Sequence, residues 1–275
     1  LSYDNVKIIK QKTGWMSVDL KELWQYRELF WLLALRNVLV RYKQAVIGIA
    51  WAVIQPVFTM IVFSIIFGGL AKLPSDGVPY PVLIFTALLP WQFFASSMGA
   101  SSRSIVSSGA IISKIYFPRL IIPTSAVISG VIDFCISFLV LIALMAWYRI
   151  MPTANIVFLP IFLLLAFIAA LAIGLWFSAL NVEFRDVGYI VPFLIQAGQY
   201  ISPVAYSSSV VPAKWKLLYS FNPMAGVIDG FRWCLLGTAN PNWMSLIVSS
   251  ISVGILFIGG LFYFRRMERT FADII

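Results

Sequence analysis

Apolar runs separated by short polar breaks fall at 45–70, 80–102, 121–147, 156–180, 188–206 and 243–264. A hydrocarbon core about 30 Å thick takes roughly 20 helical residues to cross, so the pattern predicts six transmembrane helices. Residues 20–43 carry a different pattern. Lys21, Gln25, Glu28, Arg36 and Lys43 recur on one face, and Leu20, Leu23, Phe30, Trp31, Ala34 and Val38 on the other. That spacing predicts an amphipathic helix lying in the membrane interface. Arg27 and Arg41 break into its apolar face, where long stems let a charged head snorkel. The expected architecture is an all-α polytopic membrane protein: a polar N-terminal tail (1–19), the interface helix (20–43), a transmembrane domain (44–267) and a C-terminal tail (268–275).

Two stretches between the runs need separate readings. The first is RSIVSSGAIISKIYFPRLIIP, residues 103–123. Ile105, Ile112, Ile115 and Tyr116 recur at helical intervals, while Ser104, Ser107, Ser108 and Lys114 tend to the other side. Pro118 restricts Phe117 to extended geometry, so a short helix on the cytoplasmic face is predicted to stop there. A solvated turn that carries Lys114 and Arg119 fits the same spacing. The second stretch, 207–242, is apolar but broken by Pro212, Lys214, Lys216, Pro223, Asp229, Arg232 and Pro241. A crossing here would place Arg265, Arg266 and Arg269 outside, against the positive-inside rule. An extracellular re-entrant or interfacial helical hairpin avoids that. Six crossings with both termini cytoplasmic follow, with Lys214, Lys216 and Arg232 left outside as exceptions.

Composition sharpens the class. Apolar residues make up 61% of the chain and charged residues 11%, against about one half and one quarter in soluble domains. The net charge of +9 suits basic loops at an anionic cytoplasmic leaflet. Basic residues are dispersed among apolar runs, which argues against a nucleic-acid partner. Histidine is absent and the cysteines, Cys135 and Cys234, are far apart. His-containing metal sites, Ser–His and Cys–His catalysis, and a multi-disulfide framework are thereby excluded. Residues 1–19 hold no apolar core of signal-peptide length. The chain opens on Leu1 rather than Met, so its start is expected to be processed or trimmed. No phosphate-binding loop of the GxxxxGK[ST] type occurs, and no paired acidic cluster suggests a metal-dependent transferase. No catalytic residue, metal site or cofactor is assigned to this chain, and energy must come from a partner or a gradient. No convincing internal repeat supports a secondary transporter.

Polar side chains inside the runs are the candidates for function. Trp51, Gln55, Phe58 and Thr59 form a helical stripe, and Gln196, Gln199, Tyr200 and Ser202 cluster within two turns. Amides in lipid are costly, so they should face protein or water. They are read as lining a substrate conduit; interhelical hydrogen bonding with lipid-facing aromatics is the other reading. Asp133 is the acid deep inside a predicted span. Without a second intramembrane acid or a histidine it is read as structural, bonded to serines or paired with an Arg from another span, rather than as a proton relay. Asp229 and Arg232, three residues apart, are read as a helix-surface pair.

Four stretches, in this order along the chain, resemble one family: LRNVLVRYKQAVIGIAWAVIQPV (35–57), KIYFPRLIIP (114–123), FRDVGYIVPFLIQAGQYISPVAY (184–206) and NPMAGVIDGFRWCLLG (222–237). They are similar to the type-two ATP-binding-cassette exporter permeases of bacteria, which move O-antigen, capsule or teichoic-acid chains, usually lipid-linked. The resemblance implies a permease in the bacterial cytoplasmic membrane that is not itself an enzyme. It implies a homodimer joined to two cytoplasmic ATPase subunits, with ATP and Mg bound by those partners. The second-to-third-span segment, with the N-terminal helix, would contact the ATPase, making Ile105, Ile112, Lys114, Ile115, Tyr116, Phe117 and Arg119 the coupling candidates. First and fifth spans of both protomers would line the conduit. An undecaprenyl-pyrophosphate group would suit Arg27, Arg36, Arg41 and Lys43. Two other classes stay open: a gradient-driven transporter with Asp133 as coupling acid, and a membrane enzyme acting on lipid-linked glycans.

Overall fold

A computed structural model describes residues 20–43, 48–237 and 243–271. The expected tail 1–19, the start of the first apolar run, the loop 238–242 and residues 272–275 lie outside the described residues. All regular structure among the described residues is helical. The order is α1 (Leu20–Gln25), α2 (Arg27–Lys43), α3 (Gly48–Phe63), α4 (Tyr80–Ser107), α5 (Gly109–Ile112), α6 (Ile121–Trp147), α7 (Leu159–Glu183), α8 (Val187–Ile201), α9 (Ala213–Ser220), α10 (Pro223–Leu236) and α11 (Trp243–Met267). A π-helical stretch, Ser64–Leu70, extends α3, and a short 3-10 turn, Ala154–Phe158, leads into α7. The helix expected over 20–43 is split at Tyr26, yet the Phe30 N–H still donates to the Tyr26 carbonyl at 3.0 Å.

Among the described residues, five helical stretches are long and apolar enough to cross a membrane: Ala50–Leu70, Tyr80–Ser107, Ile121–Trp147, Ala154–Glu183 and Trp243–Met267. The fifth expected span, 188–206, is shorter than the sequence pattern implied. Helix α8 has 15 residues, a rise of about 22 Å. It stops because Pro203 holds the residue before it out of helical geometry; Ser202 is extended, at φ −81° and ψ 155°.

Helix α4 is the hub, buried along most of its length and packed against α3, α6, α7, α8 and α10. Its small residues are the reason. A Cβ added at Gly130 of α6 would lie 2.3 Å from Ser97 Oγ, and one at Gly174 of α7 would lie 2.5 Å from Ser101 Oγ. Without side chains at those two points, backbones approach closely enough for dispersion to hold the bundle in a solvent as apolar as its own side chains. Two α4 serines satisfy their hydroxyls locally, Ser102 donating to the Gly99 carbonyl at 2.9 Å and Ser104 to the Ser101 carbonyl at 2.7 Å, while Ser97 donates across to the Val127 carbonyl of α6 at 3.4 Å.

The stretch 207–242 folds as a hairpin of α9 and α10, with 8 and 14 residues. Asn222 caps α10, its side chain accepting from the Met224 N–H at 3.0 Å. Helix α10 packs between α4, α7 and α11, burying Val227, Ile228, Phe231 and Leu235. The expected surface pair on it is in fact interior. Arg232 is only 4% exposed, and it donates to the carbonyls of Tyr206 at 2.9 Å and Val204 at 3.3 Å. Asp229 accepts from the Ser208 hydroxyl. Burial pushes the Asp229 carboxyl above its ordinary range, opposed by that hydrogen bond and by Arg232. Helical spacing of three matched a surface pair, but no residue of α10 is exposed, so it offers no surface for one.

Candidate functional site

A cavity of about 880 Å³ lies between α2, α3, α4, α6 and α8. Each of four helices contributes side chains at a spacing of four, which places them on one face. From α3 come Trp51, Gln55 and Thr59; from α4, Gln92 and Ser96; from α6, Asp133 and Ser137; from α8, Ile195 and Gln199. Trp91, Phe93 and Phe134 add aromatic walls. The Thr59 hydroxyl is turned onto its own helix, donating to the Gln55 carbonyl at 2.9 Å.

Of the residues expected along a conduit, Trp51, Gln55, Thr59 and Gln199 are brought together here. Four others are not. Phe58 is 66% exposed on another face of α3, and Gln196 is exposed on α8. Tyr200 sits beside Phe63, ring centroids 6.2 Å apart. Ser202 is buried and accepts from the Asn222 amide at 2.9 Å. Gln196 and Phe58 fail because a residue next to a lining position lies about 100° round the helix from it. Gln92, Ser96 and Ser137 escaped the sequence reading, although Gln92–Ser96 and Asp133–Ser137 repeat the spacing of Trp51–Gln55–Thr59.

The charge in the cavity is compensated. Arg41 of α2 forms an ion pair with Asp133 of α6, and the Tyr42 hydroxyl donates to the other carboxylate oxygen. Burial first, and then that hydrogen bond, raise the Tyr42 phenol well above its ordinary range, so it acts as a donor. This is the structural reading of Asp133, with the arginine coming from the interface helix. It also accounts for Arg41 on the otherwise apolar face of 20–43. The remaining basic candidates do not line the cavity. Arg36 and Lys43 are exposed, and Arg27 is exposed with its guanidinium 5.5 Å from the Trp24 ring centre.

The segment after α4 departs from the expected amphipathic helix. Helix α4 runs on to Ser107, breaks at Ser108, and restarts as the four-residue α5. The break resets the register, so the residues expected on one apolar stripe separate. Ile105, Ile112 and Phe117 are buried in the chain's own core. Lys114, Ile115 and Tyr116 are exposed, the last two at 60% each. Arg119 is half-buried, its backbone N–H donating to Glu268 Oε1 at 3.1 Å.

The sequence profile described as "ABC-2 type transporter" matches residues 28–236, from α2 to the end of α10. The chain belongs to the ABC-2 type transporter family. It is 31% identical over 242 residues to an O-antigen export system permease protein, RfbA, of Klebsiella pneumoniae, covering 87% of this chain and 92% of that protein. A Myxococcus xanthus protein of the same name is 28% identical over 259 residues, 93% of this chain and 98% of the relative. The polysialic acid transport protein KpsM of Escherichia coli is 23% identical over 242 residues, 86% and 92% respectively. The family match and the five long apolar helices make this a multi-pass membrane protein. All the cavity residues named above fall inside the matched range, and Glu268 falls beyond it.

Proposed function

We propose that this ABC-2 family chain is the transmembrane permease subunit of an ATP-driven exporter. Its cargo is a polysaccharide of the O-antigen or capsule kind, carried on a lipid pyrophosphate across the bacterial inner membrane. The observation that carries the reading is the cavity lining of aromatics, amides and hydroxyls around one compensated ion pair. Sugar rings offer CH faces and hydroxyls, which aromatic faces and amides meet with weak, repeated contacts; net fixed charge would bind water or an ionic polymer tightly. The names of the polysaccharide-exporting relatives support the same cargo. In this reading two copies associate, ATP and Mg are bound by two separate ATPase subunits, and Lys114, Ile115 and Tyr116 are the exposed part of the docking segment. Helix α8 and the turn after it make the fifth of six crossings, the α9–α10 hairpin is external and does not cross, and both termini are cytoplasmic. Arg27, Arg36, Arg41 and Lys43 supply cations to the pyrophosphate.

Export by membrane vesicles carrying the chain with its ATPase tests the reading. Gln55→Leu with Gln199→Leu should slow polymer export while leaving assembly with the ATPase intact. Export that needs no ATPase, or that the double variant leaves unaltered, would refute it.

A further inference from the structure

Glu268 lies one residue past the end of α11 and holds the docking segment from an unrelated part of the chain. One carboxylate oxygen accepts the backbone N–H of Arg119 at 3.1 Å, and the other pairs with Arg265 at 3.0 Å. The Arg119 guanidinium returns a hydrogen bond to the Glu268 carbonyl. Three residues on, Phe271 is fully buried against Phe264, ring centroids 5.3 Å apart, with the Arg119 guanidinium 5.9 Å from its ring centre. Glu268 and Phe271, in the stretch expected as the C-terminal tail, are packed onto the exit of the segment.

The position of the bond matters. Arg119 and Leu120 immediately precede α6, so the Arg119 N–H has no carbonyl of that helix to meet. A carboxylate there satisfies this donor and also opposes the positive end of the α6 dipole. The other end of the segment is fixed by α5 and by buried Ile112 and Phe117. Between these anchors Lys114, Ile115 and Tyr116 stand out to solvent. Displacing the exposed part therefore pulls on α6, and through Glu268 on α11.

We propose that Glu268 is a positioning residue that clamps the docking segment to α6 and α11, so that ATPase movement is transmitted to the bundle and not absorbed by the segment. The proposal rests on the docking role of Lys114–Tyr116 given above. In vesicles holding the full complex, polymer delivered per ATP hydrolysed is the readout, because a merely structural defect removes complexes without changing that ratio. Glu268→Ala should lower the ratio on the order of tenfold, the scale of one charge-assisted hydrogen bond. Glu268→Gln is nearly isosteric and keeps an acceptor for the Arg119 N–H, and should lower it about threefold, since a neutral acceptor is roughly half as strong. Arg265→Met, which spares the Arg119 contact, should leave the ratio within about twofold of the parent.

An unaltered ratio in Glu268→Gln and in any assembled Glu268→Ala would overturn the clamp, as would equal losses in Glu268→Ala and Arg265→Met. A cysteine replacing Tyr116 separates this failure from that of the docking role. If it crosslinks to the ATPase while the Glu268 variants transport normally, the clamp alone falls. If it never crosslinks in working complexes, both fall.

Discussion

Removing one partner of the Arg41–Asp133 pair should destabilise the chain by more than removing both would lead one to expect. Asp133 accepts from Arg41 and from Tyr42, and each such bond to a charged group is worth about 1.5–3 kcal/mol when dry. The site is not dry: the Arg41 side chain is 37% exposed and Asp133 22%, so screening brings the Arg41 arm down to about 1–1.5 kcal/mol. Asp133→Asn should therefore cost about 2 kcal/mol, through the weakened bond from Tyr42 and an uncompensated Arg41 beside an apolar wall. Arg41→Gln should cost roughly 1.5 kcal/mol, and the double variant about 2 kcal/mol rather than the sum, leaving a coupling of roughly 1–1.5 kcal/mol. At about 2–4 °C per kcal/mol for a chain of this size, the single variants should melt some 3–8 °C below the parent. Intrinsic tryptophan fluorescence during heating, in one detergent or nanodisc, reads this directly. Additivity within about 0.3 kcal/mol would refute the pairing.

Gly174→Val should push α7 off α4, because the new Cβ would lie 2.7 Å from Ser101 Cβ, and lower stability by about 1–3 kcal/mol; adding Ser101→Gly should restore part of the melting temperature. Arg232→Met should destabilise by about 3 kcal/mol by stripping two backbone carbonyls and Asp229 of their buried partner, which limited proteolysis of the α9–α10 hairpin would report. Single cysteines at Trp215 and Lys72, in a Cys135→Ser, Cys234→Ser background, should both label from outside the cell and one at Tyr116 only from inside; labelling of Trp215 from the Tyr116 side would restore a crossing through the hairpin.

Much of this arrangement is written in spacing. The long apolar runs around α4, α6, α7 and α11 are legible because lipid leaves a helix nothing polar to bond with except itself. Trp51, Gln55 and Thr59 were found together because three side chains four residues apart must share a face. Spacing fails where a helix ends for a local reason. Ser108 breaks α4 and rotates Ile112 inward relative to Ile115, and the extended Ser202 before Pro203 shortens α8. Spacing also cannot show partners distant in the chain. Arg41 and Asp133 stand 92 residues apart, and Arg119 and Glu268 stand 149 apart. For Asp133 the spacing allowed an arginine from elsewhere without saying which, and the packing of α2 supplied Arg41; for Arg119 the sequence named no partner, and the end of α11 supplied Glu268.

Both of those long-range contacts converge on α6. Glu268 grips the residues that open it, and Arg41 grips Asp133, twelve residues and about 18 Å farther along. Ser137, one turn beyond Asp133, lines the cavity with it. A helix held by its first turn and carrying cavity side chains at its middle turns displacement at one end into a change of lining at the other, provided it moves as a rigid rod. Helix α6 meets that condition: 27 continuous residues with Pro123 only in the first turn, where proline forfeits no intrahelical bond. Rigidity alone does not make a switch, since transmission also needs an element with two arrangements. The Arg41–Asp133 pair is suited to that part. Its partners belong to two separate helices and both touch the cavity, so a shift of α6 against α2 would part them at the cavity wall. The fully buried contacts of α4 with α7 have no comparable alternative, because parting them would leave voids that neither lipid nor water fills. Movement in this bundle is therefore expected at the α2–α6 contact, with α4 and α7 as the frame.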